Sequence, residues 1–269
     1  MGFEFCSFAS GSSGNCYLAR TDRANILVDC GIAGKNVLAR LREVGLSPED
    51  LSAILITHEH IDHVKSIRMI SKKAVNAGVY ATEGTLGEIR DRVADEQTVR
   101  IESGQPFSIG DIEVEPFALS HDAAEPVGFS FVSGGKKLSV VTDTGVVTGG
   151  ILEHMEGSDT ILLEANHEVN ILRMGPYSYS LKRRILSDHG HLSNDACAET
   201  LGTLLESRSR KPGSRPLNVV LGHLSKINNT PDQAYITVKN ELFEKGYYVG
   251  DSLTLAVAKR DEAGRMLMV

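Results

Sequence analysis

The segment Thr57-His58-Glu59-His60-Ile61-Asp62-His63 constrains this chain more than any other stretch. Three histidines and an aspartate fall within six residues, directly after Leu51–Ile56, an apolar, partly β-branched run that reads as a buried strand. A strand ending in such a cluster projects several metal-ligand side chains from one turn. Neutral imidazole and carboxylate suit zinc, manganese and iron(II). The spacing also divides the ligands. His58 and His60 stand two apart and reach one ion from an extended turn. Asp62 and His63 are adjacent, begin the next helical pattern, and reach a second ion beside the first. A solvated histidine-rich loop is the alternative, and four ligand types at one strand end weigh against it.

Strand patterns run over Phe3–Phe8, Asn15–Ala19, Ile26–Asp29, Leu51–Ile56, Gly78–Ala81, Thr98–Ile101, Ile112–Phe117, Gly128–Val132, Leu138–Thr142, Thr160–Glu164, Leu217–Leu221, Tyr247–Val249 and Leu253–Ala258. Helical patterns alternate with them at Gly34–Val44, Asp62–Asn76, Gly84–Val93, Val147–Met155, Asn194–Ser207 and Pro231–Glu244. Ser193 is placed to cap the Asn194 helix, and Thr230-Pro231 supplies a cap and a first-turn proline. No low-complexity linker interrupts the pattern, so residues 1–269 read as one domain. Ser207–Ser214 reads as an exposed, mobile loop.

The formal net charge of −7 weighs against a general nucleic-acid coat, but not against a nuclease whose metal ions would add positive charge locally. Two basic clusters, Lys182–Arg184 and Arg208–Lys211, would ordinarily be solvated faces. The first lies near other suggestive residues and is the better candidate for a phosphate track. No apolar run is long enough to span a membrane, and no basic-then-apolar leader opens the sequence. Cys6, Cys16, Cys30 and Cys197 are scattered among apolar or small residues, as expected of reduced thiols in a cytoplasmic protein.

The pattern H-x-H-x-D-H resembles the signature of the metallo-β-lactamase-fold hydrolases. That resemblance implies three further ligands in the order histidine, aspartate, histidine. His121, Asp143 and His223 fit them, each at the end of a strand-like run. It also implies an α/β, four-layer αββα sandwich, with two mixed β-sheets and helices on the outer faces. Only 79 residues separate Asp143 from His223, too few for the β-CASP domain of RNA-processing members. Two divalent ions, zinc or manganese with iron also accepted, would share a bridging hydroxide as nucleophile. One ion would take His58, His60 and His121, and the other Asp62, His63 and His223, with Asp143 bridging. Flavodiiron members carry Glu in place of His60, and true β-lactamases usually carry Cys in place of Asp143. The ligand set here is similar to the dinuclear hydrolases: phosphodiesterases, thioesterases and lactonases.

Three segments favour phosphodiesters. In Ser10–Cys16, Ser12, Ser13 and Asn15 lie on a small polar turn, either a plain hairpin or a ring of donors for a phosphate. Leu163–Glu168 ends a strand with two carboxylates and His167, which is either structural or a substrate contact. Asp188–Asn194 leads into a helix start, where His191 and Ser193 would converge on an anion. His191 would act as a hydrogen-bond donor to phosphate or leaving oxygen, alongside Asp62 and Asp143 as catalytic residues. His154 has no polar cluster around it and reads as structural. The three segments resemble the bacterial YycJ-like branch, which implies 5′-to-3′ exonuclease action on DNA ends. The competing readings are a small-molecule hydrolase of the same fold, acting on a cyclic nucleotide, thioester or lactone, and a non-catalytic regulatory module.

Overall fold

The computed structural model describes residues 2–210 and 215–269 and falls into two compact units. Among the described residues, the first comprises residues 2–118, 123–135 and 259–269, and the second residues 119–122, 136–210 and 215–258.

The first unit is built on a seven-stranded sheet in the order β14-β1-β2-β3-β4-β5-β6. Its strands are β1 (Glu4–Ala9), β2 (Cys16–Arg20), β3 (Asn25–Val28), β4 (Ala53–Leu55), β5 (Gly78–Thr82), β6 (Thr98–Ile101) and β14 (Leu267–Met268). Antiparallel pairing joins β14, β1, β2 and β3, and parallel pairing joins β3 through β6. The parallel part needs crossovers. These are α1 (Gly34–Glu43), α2 (Ile61–Val64) with α3 (Ile67–Lys73), and α4 (Glu83–Ile89). Val37 and Leu41, one turn apart on α1, and Ile67 and Ile70 on α3 bury against Phe8, Leu18, Leu27 and Ile54 of the sheet. An antiparallel run, β7 (Phe107–Ile109), β8 (Ile112–Ala118) and β9 (Val127–Ser133), completes this unit. The first three residues of β8 alternate buried and exposed, as expected of a strand with one solvated face.

The second unit carries four parallel strands, β10 (Lys136–Val141), β11 (Thr160–Glu164), β12 (Leu217–Gly222) and β13 (Leu253–Val257). The register sets Val141 beside Leu163 and Glu164 beside Gly222, so three strands end level with one another. The helices of this unit are α5 (Gly149–Met155), α6 (Val169–Met174), α7 (Tyr179–Ile185), α8 (Asn194–Ser209) and α9 (Pro231–Glu244).

Several sequence expectations shift. The helix expected over Asp62–Asn76 breaks into α2 and α3, because both the amide and the hydroxyl of Ser66 donate to the Cys30 carbonyl and pin the chain there. Val147 and Thr148 precede α5, since the Thr148 hydroxyl caps it by accepting from the Ile151 amide. Tyr247–Val249 is no strand, for the Tyr247 amide closes the end of α9 on the Leu242 carbonyl. β7, β14, α6 and α7 lie where no element was expected. Of the loop expected at Ser207–Ser214, Ser207–Ser209 belong to α8, and Lys211–Ser214 lie outside the described residues. Both expected caps form: Ser193 accepts from the Ala196 amide and Thr230 from the Gln233 amide.

Candidate metal centre

Each unit gathers histidines and carboxylates where parallel strands end. In the first, β4 runs into Thr57 and the cluster His58, His60, Asp62 and His63. The His58 ring lies 4.6 Å from that of His60 and 4.1 Å from that of His63. Asp62 Oδ2 is 3.7 Å from His63 Nε2. Backbone bonds from two neighbouring segments hold this turn: the Asn15 amide donates to the Asp62 carbonyl and the Cys30 amide to the His63 carbonyl. The fit is too close for any side chain at Gly31, whose Cβ would stand 1.6 Å from the Asp62 carbonyl oxygen.

Asp29, at the end of β3, orients the cluster. Its carboxylate accepts from His63 Nδ1 at 2.7 Å and from the amide and hydroxyl of Thr57. With its proton on Nδ1, His63 carries the lone pair on Nε2, where the Asn15 side-chain amide donates at 3.1 Å. Asn15 is fully buried and also accepts from the Gly11 amide and the Tyr17 hydroxyl, whereas Ser12 and Ser13 are exposed.

In the second unit Asp143, Glu164, His191 and His223 each present a ligand atom within 4.8 Å of the others. His223 Nε2 lies 3.4 Å and His121 Nε2 3.9 Å from Asp143 Oδ1. His121 comes from the turn after Ser120 and donates through Nδ1 to the Gly190 carbonyl. Glu164, at the end of β11, is the hub. Its Oε1 accepts from Nδ1 of both His191 and His223 at 2.8 Å, and its Oε2 from the Thr144 and Leu192 amides. Burial pushes this carboxyl up, but the His191 charge and the bonds from both imidazoles outweigh it and hold it below the ordinary range. Burial lowers His191 in turn, and Glu164 and then Asp143 reverse that, leaving it raised. For His121 burial wins and the shift is downward.

Asp29, Asp143 and His223 share a further mark. They have φ of 61°, 60° and 54°, and no other described non-glycine residue has positive φ. The left-handed region costs such residues about 1–3 kcal/mol each, and is kept where the surroundings demand a particular side-chain direction.

The donor set fits a divalent metal. His63, His121 and His223 each commit Nδ1 to a carboxylate or carbonyl, the arrangement that turns Nε2 toward a cation and raises its basicity. Of the remaining candidates, His191 is held by Glu164, and Ser193 caps α8. His167 is buried beside Ser193 through a β-bridge, and burial pushes it down to about 4. Neither of its ring nitrogens has a hydrogen-bond partner among the described residues. Sequence patterns passed over Asp29 and noted Glu164 only as one of two carboxylates at a strand end. Asp29-Cys30-Gly31 has the same strand-end, aspartate, then glycine form as Asp143-Thr144-Gly145, and that form was the available signal.

Comparison with known proteins agrees with this arrangement. Residues 24–209 match the family described as the β-lactamase superfamily domain. The chain is 40% identical over 255 residues to the exodeoxyribonuclease WalJ of Streptococcus pneumoniae, covering 93% of this chain and 92% of that one. It is 37% identical to the exodeoxyribonuclease YycJ of Bacillus anthracis, covering 95% of each. Among solved structures, the metallo-β-lactamase fold protein YhfI of Bacillus subtilis superposes with a TM-score of 0.72 at 16% identity, over 98% of this chain and all of that one. Zinc-bound PqqB of Methylobacterium extorquens gives 0.71 at 15%, over 97% and 99%. The fold is therefore α/β, with two mixed β-sheets flanked by helices, as in the metallo-β-lactamase fold. The chain belongs to the β-lactamase superfamily, in the branch that contains WalJ and YycJ.

Proposed function

We propose that this protein is a metal-dependent phosphodiesterase that degrades DNA from a 5′ end. The observation that carries this reading is similarity over nearly the whole chain to two proteins named exodeoxyribonucleases. It is supported by strand ends that gather histidines and carboxylates in each unit. His58, His60, Asp62 and His63 from one unit and His121, Asp143 and His223 from the other would hold two divalent ions, with Asp143 shared. Imidazole and carboxylate accept zinc and manganese alike, so the cell's supply decides between them. When bound, such ions supply an activated water near neutral pH and stabilise charge on a phosphoryl oxygen.

The chain's own residues do the rest. Asp29 and Glu164 fix the tautomers of His63 and His223. Glu164 also fixes His191 through Nδ1, so that Nε2 is the atom His191 turns to a phosphate or leaving oxygen. Asn15 sets the His63 ring, and Ser12 and Ser13 are the exposed hydroxyls of its turn, available to a terminal phosphate. His167 and Ser193 lie at the start of α8, where a phosphate oxygen would find donors. Residues 1–269 would work as one catalytic domain. Four free, buried cysteines support a cytoplasmic setting. Among the described residues no helix is long and apolar enough to cross a membrane.

The test is a substrate panel run separately with manganese and with zinc: 5′-phosphorylated single-stranded and duplex DNA, RNA, bis-p-nitrophenyl phosphate, a thioester and a lactone. Stepwise loss of nucleotides from the 5′ end of DNA is expected. Turnover confined to the thioester or lactone would make the protein a small-molecule hydrolase instead.

A further inference from the structure

The stretch between β11 and α8 carries charge and aromatic surface that the hydrolytic residues do not use. On a chain of net charge −7, Arg173, Lys182, Arg183 and Arg184 fall within one short helical excursion, α6 and α7. Arg173 and Arg183 are exposed and Lys182 half-buried, and none of the three pairs with a carboxylate among the described residues. Lys182 donates instead to the Arg173 carbonyl, which draws the two helices together. The Arg183 guanidinium lies 6.0 Å from the centre of the Tyr179 ring, and Tyr179 is 77% exposed. Met174, 88% exposed, adds apolar surface on the same excursion.

The excursion is fixed against the candidate catalytic residues. Arg184 is ion-paired to Asp122, the neighbour of His121. The His191 amide donates to the Ile185 carbonyl, and the Asp122 amide to the His189 carbonyl. Gly190 admits this closeness, since a Cβ there would stand 2.2 Å from the Ile185 carbonyl oxygen. A cationic strip with an aromatic platform therefore begins within a few residues of His121 and His191.

We propose that α6 and α7 bind a single strand of DNA next to the reacting phosphate, with backbone phosphates on Arg173, Lys182 and Arg183 and an unpaired base on Tyr179. The proposal rests on the nuclease reading above. Positive tracks with exposed aromatic side chains are how proteins hold single strands without reading sequence. A base can lie on Tyr179 only when it is not paired, which favours a single strand over a duplex.

The experiment measures steady-state kinetics of the metal-loaded full chain on a 5′-phosphorylated single strand of about 20 nucleotides, longer than one such binding site, and on the blunt duplex of the same sequence. The variants are Tyr179→Ala, Arg183→Glu and, as a control, Lys239→Glu. Lys239, exposed, lies over the half-buried Tyr235 ring on α9, a cation–aromatic pair elsewhere in this unit. Tyr179→Ala should raise KM about 5- to 160-fold, the range seen when one stacked base loses its platform. Arg183→Glu should raise KM about tenfold at low salt and flatten its log–log dependence on salt by about 0.7 for each phosphate that is no longer neutralised. In both variants kcat should stay within about twofold, and Lys239→Glu should match the parent in KM within the same margin. If the parent degrades DNA and both variants keep its KM and salt dependence, this surface is not the strand site. A KM increase confined to blunt duplex would likewise overturn the single-strand assignment. If the parent degrades no DNA, the nuclease reading falls and this proposal with it.

Discussion

Asp29 and Glu164 do the same work in different units: each accepts a hydrogen bond from histidine Nδ1–H and so decides which nitrogen is presented as a ligand. Such outer carboxylates typically contribute 10- to 100-fold in metal affinity. Asp29→Asn and Glu164→Gln should each weaken manganese binding by about that factor while leaving a folded chain, as read by competition with a coloured chelator. Unchanged affinity would remove them from the centre. His191→Ala should leave metal content intact and slow DNA hydrolysis about 10²- to 10³-fold, the usual loss when one donor to developing charge is deleted. His154→Ala, on α5, is the control. Loss of metal from His191→Ala would make it a ligand or a ligand's support. The candidate ligands were legible because each sits at the end of a strand-like run within a local pattern. Asp29 and Glu164 were not, because their meaning lies in partners 34 and 59 residues away, and no spacing reveals such a pairing.

Two helix starts marked by a cap or a proline were located to the residue. α9 begins at Pro231 and ends at Glu244 as expected, and α8 starts at Asn194 behind the Ser193 cap. Ser193→Ala should cost about 1 kcal/mol by denaturant unfolding, the usual value of a serine cap. No loss would mean that water serves the Ala196 amide equally well. α6 and α7 escaped notice because each is only two turns long, Gly175-Pro176 separates them, and most of their side chains face solvent. Hydrophobic periodicity finds elements through the face they bury, and these bury little. The break between α2 and α3 was hidden for a different reason: the bond from Ser66 to Cys30 crosses between segments.

At the scale of the whole molecule, the four cysteines lie buried and free. Burial pushes the Cys6 thiol up to about 11 and raises Cys16, Cys30 and Cys197 as well, and only the thiolate reacts with alkylating agents. The native chain should therefore resist iodoacetamide at pH 8, with Cys6 reacting only as the pH nears 11, while the unfolded chain yields four modified thiols without reductant. A disulfide recovered by mass spectrometry would contradict the proposed cytoplasmic setting. The two strand-end clusters lie in different units of the chain, and the proposed function requires them to serve one reaction. The most direct test is a titration of metal-stripped protein with manganese, following bound metal by elemental analysis and hydrolysis of 5′-phosphorylated DNA on the same samples. Saturation at two ions per chain is expected, with activity that rises with the second, and neither full loading nor hydrolysis in Asp143→Ala. Saturation at one ion, or full hydrolysis by the stripped chain, would contradict that expectation.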